Sequence, residues 1–494
     1  MLVTKFARYG VLLSACFFFL VYCVLVIIRI RYPFELEWME GCSVIHVQRL
    51  LGGEKLYVPP SLAFTPYIYS PLYFYVSAAV SGMLGASLFS LRLVSVVSSL
   101  ACFWLIYAIV ARQTDRWTGI ISAGLFVATF RLSGAWLDLA RVDSLFLCLF
   151  LLSVFIVRTQ DSLFSTVLAA MFASLSLLTK QTALLMILPL AVSLLFGRPR
   201  RCVWFTVTAA IVTVGGVLVL DYVHDGWYLY YSFHLPHNFP GEESWYLKFW
   251  TKDLLGPLPV AVLIACCYLV REFFAGARDN FFFYSLFLAG MLAASCLSRG
   301  KLQGDANVLM PAYAALSIVF GLGLHGLHRL VAEHTGRYAN AAAALLYVVC
   351  IAQFALLKYD PYKQLPSAAD LIAGEEFVRT VARIEGDVFI PNHPYLAVMA
   401  GKKPFALSIC LRDVWRGDTG IIPSILLQNL EFAIHGRKFA AIILDGPGFS
   451  LLPFSALQLD QFYEKSGSFL TDKRVFVPVT GWPAKPAQIY TPRK

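Results

Sequence analysis

A set of ionisable residues stands at the ends of apolar stretches, where charge is expensive unless it is used. They are Glu35, Glu37, Glu40, Arg92, Asp138, Arg141, Asp143, Lys180, Arg299, Lys301 and Asp305. The acidic trio falls in Glu35-Leu-Glu-Trp-Met-Glu-Gly41, beside Trp38 and Met39. Partial desolvation raises the basicity of a carboxylate, so one placed there could deprotonate a hydroxyl or amine. The plainer alternative is a solvated acidic loop. In Asp138-Leu-Ala-Arg141-Val-Asp143, an arginine between two aspartates is either an ion-pair cap on two helix ends or a support for the acidic loop. Lys180 lies in Leu177-Leu-Thr-Lys-Gln-Thr182, and Arg299 and Lys301 in Ser298-Arg-Gly-Lys-Leu-Gln-Gly-Asp-Ala-Asn307. Cations gathered in such turns would hold a phosphate or pyrophosphate by charge-assisted bonds, or would simply snorkel to the interface. His234 and His237 flank Pro236 at a spacing unlike a helical zinc motif, so no metal site and no cofactor are expected.

The elements that must position these groups are apolar. Of 494 residues, 59% are hydrophobic, 15% aromatic and 14% charged, with a mean hydropathy of +0.68. A soluble chain carries roughly 25% charged residues, so this composition indicates a polytopic membrane protein. The net charge of +10 comes largely from arginines in short loops, which is topology signal and not a nucleic-acid surface. The cysteines show no CxxC pairing; Cys42 and Cys410 both fall outside the apolar runs, and nothing in the sequence says that they meet.

Apolar runs at about 10–30, 92–111, 118–136, 143–158, 162–178, 181–197, 202–222, 254–270, 280–298, 307–325 and 339–357 give about eleven transmembrane helices. With Lys5 and Arg8 in the cytoplasm, the loops carrying Arg112 and Arg116, Arg158, Arg198 to Arg201, Arg271 and Arg278, and Arg329 and Arg337 are all cytoplasmic. The ionisable set then shares the opposite face. This requires that 71–91, apolar as it is, lie in the outer interface or dip back, a reading that Tyr67 to Tyr75 and the bend-permitting Gly82 and Gly85 suit. From residue 358 charges return and apolar runs shorten. A helix is expected over 367–385 with Ser367 as its cap, and strands at Val388 and at Ala440 to Leu444, followed by turns at Pro391-Asn392 and Asp445-Gly446-Pro447. The expected division is a transmembrane domain over 1–357, with juxtamembrane helices in its first outer loop (31–91), and a small extracytoplasmic α/β domain over 358–494.

The chain resembles the GT-C superfamily of membrane glycosyltransferases, in the branch holding protein O-mannosyltransferases and the aminoarabinose transferases of lipid A. The resemblance rests on Glu40 in the first outer loop with Arg49 and Gly53 after it, Tyr67-Ile-Tyr-Ser-Pro-Leu-Tyr73, Arg92 opening the second span, Asp143 after the third, and Leu178-Thr-Lys180. It implies a GT-C-like fold and inverting transfer of a sugar from a polyprenyl-phosphate donor to a lipid, glycan or protein acceptor outside the cytoplasm, in a bacterial inner or plasma membrane. Glu40 would be the general base, with Glu37 in a competing register and Asp143 assisting. Arg92, Lys180, Arg299 and Lys301 would bind the donor phosphate, with Asp138, Arg141 and Tyr69 also on the substrate. Two positions depart from the pattern. The usual first-loop aspartate is a glutamate, and the aminoarabinose enzymes carry a lysine where this chain has Tyr69-Ser70-Pro71, so their acceptor is not implied.

A transporter or flippase of lipid-linked sugars is the main rival, and a non-catalytic scaffold in envelope assembly a third. Transporters place ionisable groups near the bilayer midplane, whereas here they cluster at one level of helix ends. The side assignment is testable by impermeant maleimide on intact cells. Cysteines replacing Pro240 or Gln303 are expected to label and those replacing Asp115 or Pro199 are not; labelling at 199 would move half the charged set to the cytoplasm.

Overall fold

The computed structural model describes residues 2–301, 304–334, 338–446, 452–469, 472 and 474–494. Leu302 and Gln303 of the second cationic turn, Arg337 and Pro447 lie outside them. Most of the chain is helical. In chain order the main helices are α1 (Leu2–Arg29), α2 (Glu40–Leu51), α3 (Leu72–Leu84), α4 (Leu88–Ala111), α5 (Arg116–Ala128), α6 (Asp143–Thr159), α7 (Leu163–Leu177), α8 (Leu184–Ser193), α9 (Pro199–Val223), α10 (Pro259–Phe274), α11 (Arg278–Arg299), α12 (Met310–His334) and α13 (Ala339–Leu356). α1 packs between α5 and α13, and α4 between α5 and α6. Large apolar side chains such as Leu13, Leu20 and Ile27 on α1 and Ile211 and Leu218 on α9 stay exposed on the outside of the bundle. Water would not tolerate so wide an apolar girdle, but lipid covers it. The chain is an integral, multi-pass membrane protein.

Every expected apolar run overlaps a helix, yet the count of eleven crossings does not follow from length. Among the described residues, six helices are long and apolar enough to span, or seven if a pair bent by 91°, Glu243–Leu255 and Pro259–Phe274, is one span. The run expected over 254–270 is interrupted there because Pro257 and Pro259 cannot continue the preceding hydrogen-bond ladder. The run expected over 118–136 also stops early, at Ala128. Gly134 and Ala135 both take positive φ, which a helix cannot accommodate, so Arg131 sits in a turn and 129–142 becomes a folded loop carrying Asp138 and Arg141. α3 has 13 residues, a rise of about 20 Å against a hydrocarbon core of about 30 Å. Its end is set by Gly85, at φ +82°.

Ser367 caps α14 (Ala368–Ala382) in a reciprocal pair with Asp370, as its position before Ala-Ala-Asp suggests. Beyond it come β1 (Val388–Phe389), α15 (Pro394–Met399), α16 (Ser408–Gly417), α17 (Ile422–His435), β2 (Ala441–Asp445), β3 (Tyr463–Ser468) and β4 (Pro486–Pro492). The sheet order is β1-β2-β4-β3; β1 and β2 are parallel, joined through the helices, and the other pairs are antiparallel. β3 and β4 carry little apolar alternation, which is why the sequence announces only the two buried strands.

This sheet is fastened to the first loop by a buried histidine. His393 Nδ1 lies 2.6 Å from Glu35 Oε2, and its Nε2 lies 3.6 Å from Asp445 Oδ1 at the end of β2. Burial alone would push the imidazole pKa down, but Asp445 and Glu35 raise it to about 10. A histidine in the unfolded chain titrates near 6.5. The stability it contributes is therefore complete below that pH, declines above it, and is lost as pH passes about 10. His393→Gln is expected to lower the thermal midpoint near pH 7 markedly and near pH 10 much less; an equal loss at both would mean that the imidazole is neutral.

Candidate active site

Arg92, at the start of α4, organises one end of the bundle. Its Nε and Nη2 donate to the two carboxylate oxygens of Glu40 at 2.9 and 2.7 Å. Its remaining N–H groups go to the carbonyls of Arg29, Tyr32 and Phe34 at 3.1, 2.6 and 2.7 Å. Glu40 in turn accepts from the backbone N–H of Leu36 at 2.7 Å and of Ala140 at 2.8 Å. Burial would raise the Glu40 pKa, but Arg92 and the two backbone donors outweigh it and hold the carboxyl below its ordinary range. Both side chains are fully buried. A second buried pair, Arg29 with Asp138 at 3.0 Å, ties the end of α1 to the 129–142 loop.

Beside this node lies a cavity of about 570 Å³. Glu37, Tyr69, Arg141, Lys180, Lys301 and Asp305 are on its wall, with Asn307 and, from the sheet-bearing part, Ile409, Asp413 and Trp482. Glu37 is buried and neither of its carboxylate oxygens has a hydrogen-bond partner; the nearest cation is Arg141 Nη1 at 3.6 Å. Burial pushes the Glu37 pKa up to about 8, with Arg141 opposing and the charges of Glu40 and Asp305 adding. The backbone at Gly481 presses on it: a Cβ there would lie 2.9 Å from Glu37 Cγ, and φ at Gly481 is +73°. Arg141 is held by Tyr69, whose hydroxyl accepts from Nη2 at 3.1 Å, and by the Trp136 ring 5.1 Å away. Lys180 donates to Asp143 Oδ1 at 2.6 Å, and Asn307 donates to the same oxygen at 3.0 Å. Lys301 spends one donor on the Phe239 carbonyl at 3.0 Å.

The expected residues are thus brought to one end of the bundle but divide into two kinds. Glu37, Tyr69, Arg141, Lys180 and Lys301 face the cavity, and Asp143 stands behind Lys180. Glu40, Arg92 and Asp138 are locked in the fold, with no lone pair or N–H of Glu40 and Arg92 left over. Of the two glutamates, Glu40 has both oxygens engaged and Glu37 has neither hydrogen-bonded. Arg299 is also absent from the cavity wall, because Asp253 at 2.9 Å and the Trp245 ring at 4.5 Å engage it. His234 and His237 are exposed and are not on the cavity wall, although Pro236 between them is, and no cluster of potential metal ligands occurs among the described residues. Asp413, Trp136 and Trp482 were not anticipated. Asp413 is a single acid in an amphipathic helix far along the chain, which in sequence reads as a solvated residue; burial instead pushes its pKa up to about 7 against Arg416 and Arg412.

Residues 67–227 match the family model described as dolichyl-phosphate-mannose-protein mannosyltransferase. The chain superposes on the apo crystal structure of ArnT from Cupriavidus metallidurans with a TM-score of 0.61 and 13% identity, covering 97% of each chain. The form of that protein bound to undecaprenyl phosphate gives 0.55 and 12%, again over 97% of each. The chain thus shares the fold of these membrane proteins, and about a third of it matches the mannosyltransferase family model. An oligosaccharyltransferase of Archaeoglobus fulgidus aligns at 11% identity over 88% of this chain and 68% of its own, with a TM-score of 0.46. No curated protein sequence matches.

Within this fold, the two glutamates should respond differently to the same change. Glu40→Gln leaves the Arg92 guanidinium buried without its counter-charge, a loss of about 3–5 kcal/mol, and is expected to reduce folded yield and thermal midpoint. Glu37→Gln removes no formed hydrogen bond and is expected to leave both near wild type. Equal stability of the two variants, read by thermal shift in detergent, would show that the buried pair carries no structural weight.

Proposed function

We propose that the protein is an inverting glycosyltransferase that moves a sugar from a polyprenyl-phosphate donor to an acceptor on the non-cytoplasmic face, with Glu37 as general base. The observation that carries the reading is an unpartnered buried carboxylate facing a cavity that also presents Arg141, Lys180 and Lys301. The match to a family acting from dolichyl-phosphate-mannose, and the undecaprenyl phosphate bound in a protein of the same fold, support the donor class. The eleven-crossing topology and a separate extracytoplasmic domain from residue 358 belong to the same proposal.

The acceptor oxygen or nitrogen attacks C1 of the sugar while Glu37 takes its proton. The bond from C1 to the phosphate oxygen breaks, and its electron pair leaves on the polyprenyl phosphate. Cations matter most where that charge develops. Arg141 has an N–H without a partner, and Lys301 keeps two donors after its bond to Phe239, so these reach the phosphate. Lys180 is already half-neutralised by Asp143, which acts here as a positioning residue. Ile409, Asp413 and Trp482, contributed from the sheet-bearing part, form the wall on which the acceptor would rest.

The test is release of polyprenyl phosphate by the purified protein. Glu37→Gln is expected to cut turnover about 100-fold or more with donor affinity retained. Because Glu37 must be deprotonated to act, wild-type kcat/KM should climb with pH until about 8 and then level off. Full activity in Glu37→Gln, or a rate flat from pH 6 to 9, would remove this residue as the base. No release with any polyprenyl-phosphate sugar would favour transport or a scaffold.

A further inference from the structure

Cys42 and Cys410 are the two cysteines outside the apolar helices. Cys42 lies in the first turn of α2 and Cys410 in the first turn of α16. Both side chains are buried in the same core cluster, near enough for each thiol to shift the ionisation of the other. A Cβ on Gly41, next to Cys42, would collide with Tyr395 Cβ. Ile409, next to Cys410, shares the cavity wall with Met39 and Tyr67. His46 stands 3.7 Å from Cys42 Sγ, fixed by the Tyr67 N–H donating to its Nε2 at 3.0 Å. We propose that Cys42 and Cys410 form a disulfide in the mature protein, stapling the first loop to the sheet-bearing part immediately behind the cavity. This rests on the proposed non-cytoplasmic placement of that face, where disulfides form and persist.

The oxidant is a disulfide, either of a thiol–disulfide oxidoreductase or of a small molecule such as oxidised glutathione. One thiolate of the pair attacks it, giving a mixed disulfide and releasing the first thiol. The second thiolate then displaces the other sulfur, so that two electrons and two protons end on the reduced oxidant. Cys42 is the better first nucleophile. Burial raises its pKa, but the Cys410 and His46 contacts outweigh that and lower it, while burial and the Cys42 charge raise that of Cys410. The reaction belongs to the docking of the two parts, before both sulfurs are sealed.

The experiment uses full-length protein from cells quenched with N-ethylmaleimide, purified without reductant, digested and mapped by mass spectrometry. A peptide pair joined through Cys42 and Cys410 is expected, two hydrogens lighter than the separate thiols, and lost on reduction or in Cys410→Ser. Dithiothreitol should lower the thermal midpoint of wild type and leave that of Cys410→Ser unchanged, so a poorly yielding serine variant does not decide the matter alone. A Pro240→Cys reporter in the same cells reads the side of the membrane. Labelling of the reporter together with both native cysteines alkylated as free thiols would overturn the disulfide while the sidedness stands. A reporter protected from impermeant maleimide would overturn the sidedness, and the disulfide with it.

Discussion

One end of this bundle depends on one arginine with every donor engaged. Arg92 satisfies both oxygens of Glu40 and three backbone carbonyls that the end of α1 and the following turn leave without helical partners. Glu40 uses its remaining acceptor capacity on Leu36 and Ala140. In a low-dielectric interior an isolated charge of either sign would be prohibitive, and an incomplete network would be worse than none. Completing it fixes the first loop, α1, α4 and the 129–142 loop relative to each other. Glu37, Trp136 and Arg141 on the cavity wall hang from those segments.

That arrangement separates charges that hold the fold from charges left available. Glu40 with Arg92, Arg29 with Asp138, and Lys180 with Asp143 are buried pairs at 2.6 to 3.0 Å. Glu37 and Arg141 are only 3.6 Å apart and poorly aligned. A carboxylate denied both water and a close partner is driven toward the neutral form, which is why the Glu37 pKa rises while its neighbour three residues on is held low. The two acids share a loop and a chemistry, and differ only in what the fold brings to them.

The part carrying the sheet completes the site. The histidine tether from Glu35 to Asp445, the close approach of Gly481 to Glu37, and the wall formed by Ile409, Asp413 and Trp482 all join distant sequence to the first loop. Thr480 reinforces this, its backbone N–H donating to the Leu36 carbonyl at 3.2 Å and its hydroxyl to that of Gly134. The cavity is therefore a joint of two portions of the chain and not a pocket within either one.

The sequence by itself determined the membrane class, the helical runs, the Ser367 cap and the gathering of charge at one end. These follow from local physics: hydropathy over a window, turn chemistry, and the cost of charge among apolar residues. It also supplied Arg141, Lys180, Lys301 and Glu37 as candidates, because each is ionisable at a helix end. It left the pairing of Glu40 with Arg92 unseen, because spacing along a chain says nothing of which carboxylate an arginine from another helix will engage. It missed Asp413 and Trp482 because their environment is made by segments hundreds of residues away in the chain. The early stop of α5 at Ala128 likewise came with the positive-φ turn at Gly134 and Ala135, whereas the break at Pro257 and Pro259 is a local proline effect. Identity of residues is local, but burial and partnership are tertiary, and those two decide which acid is free to react.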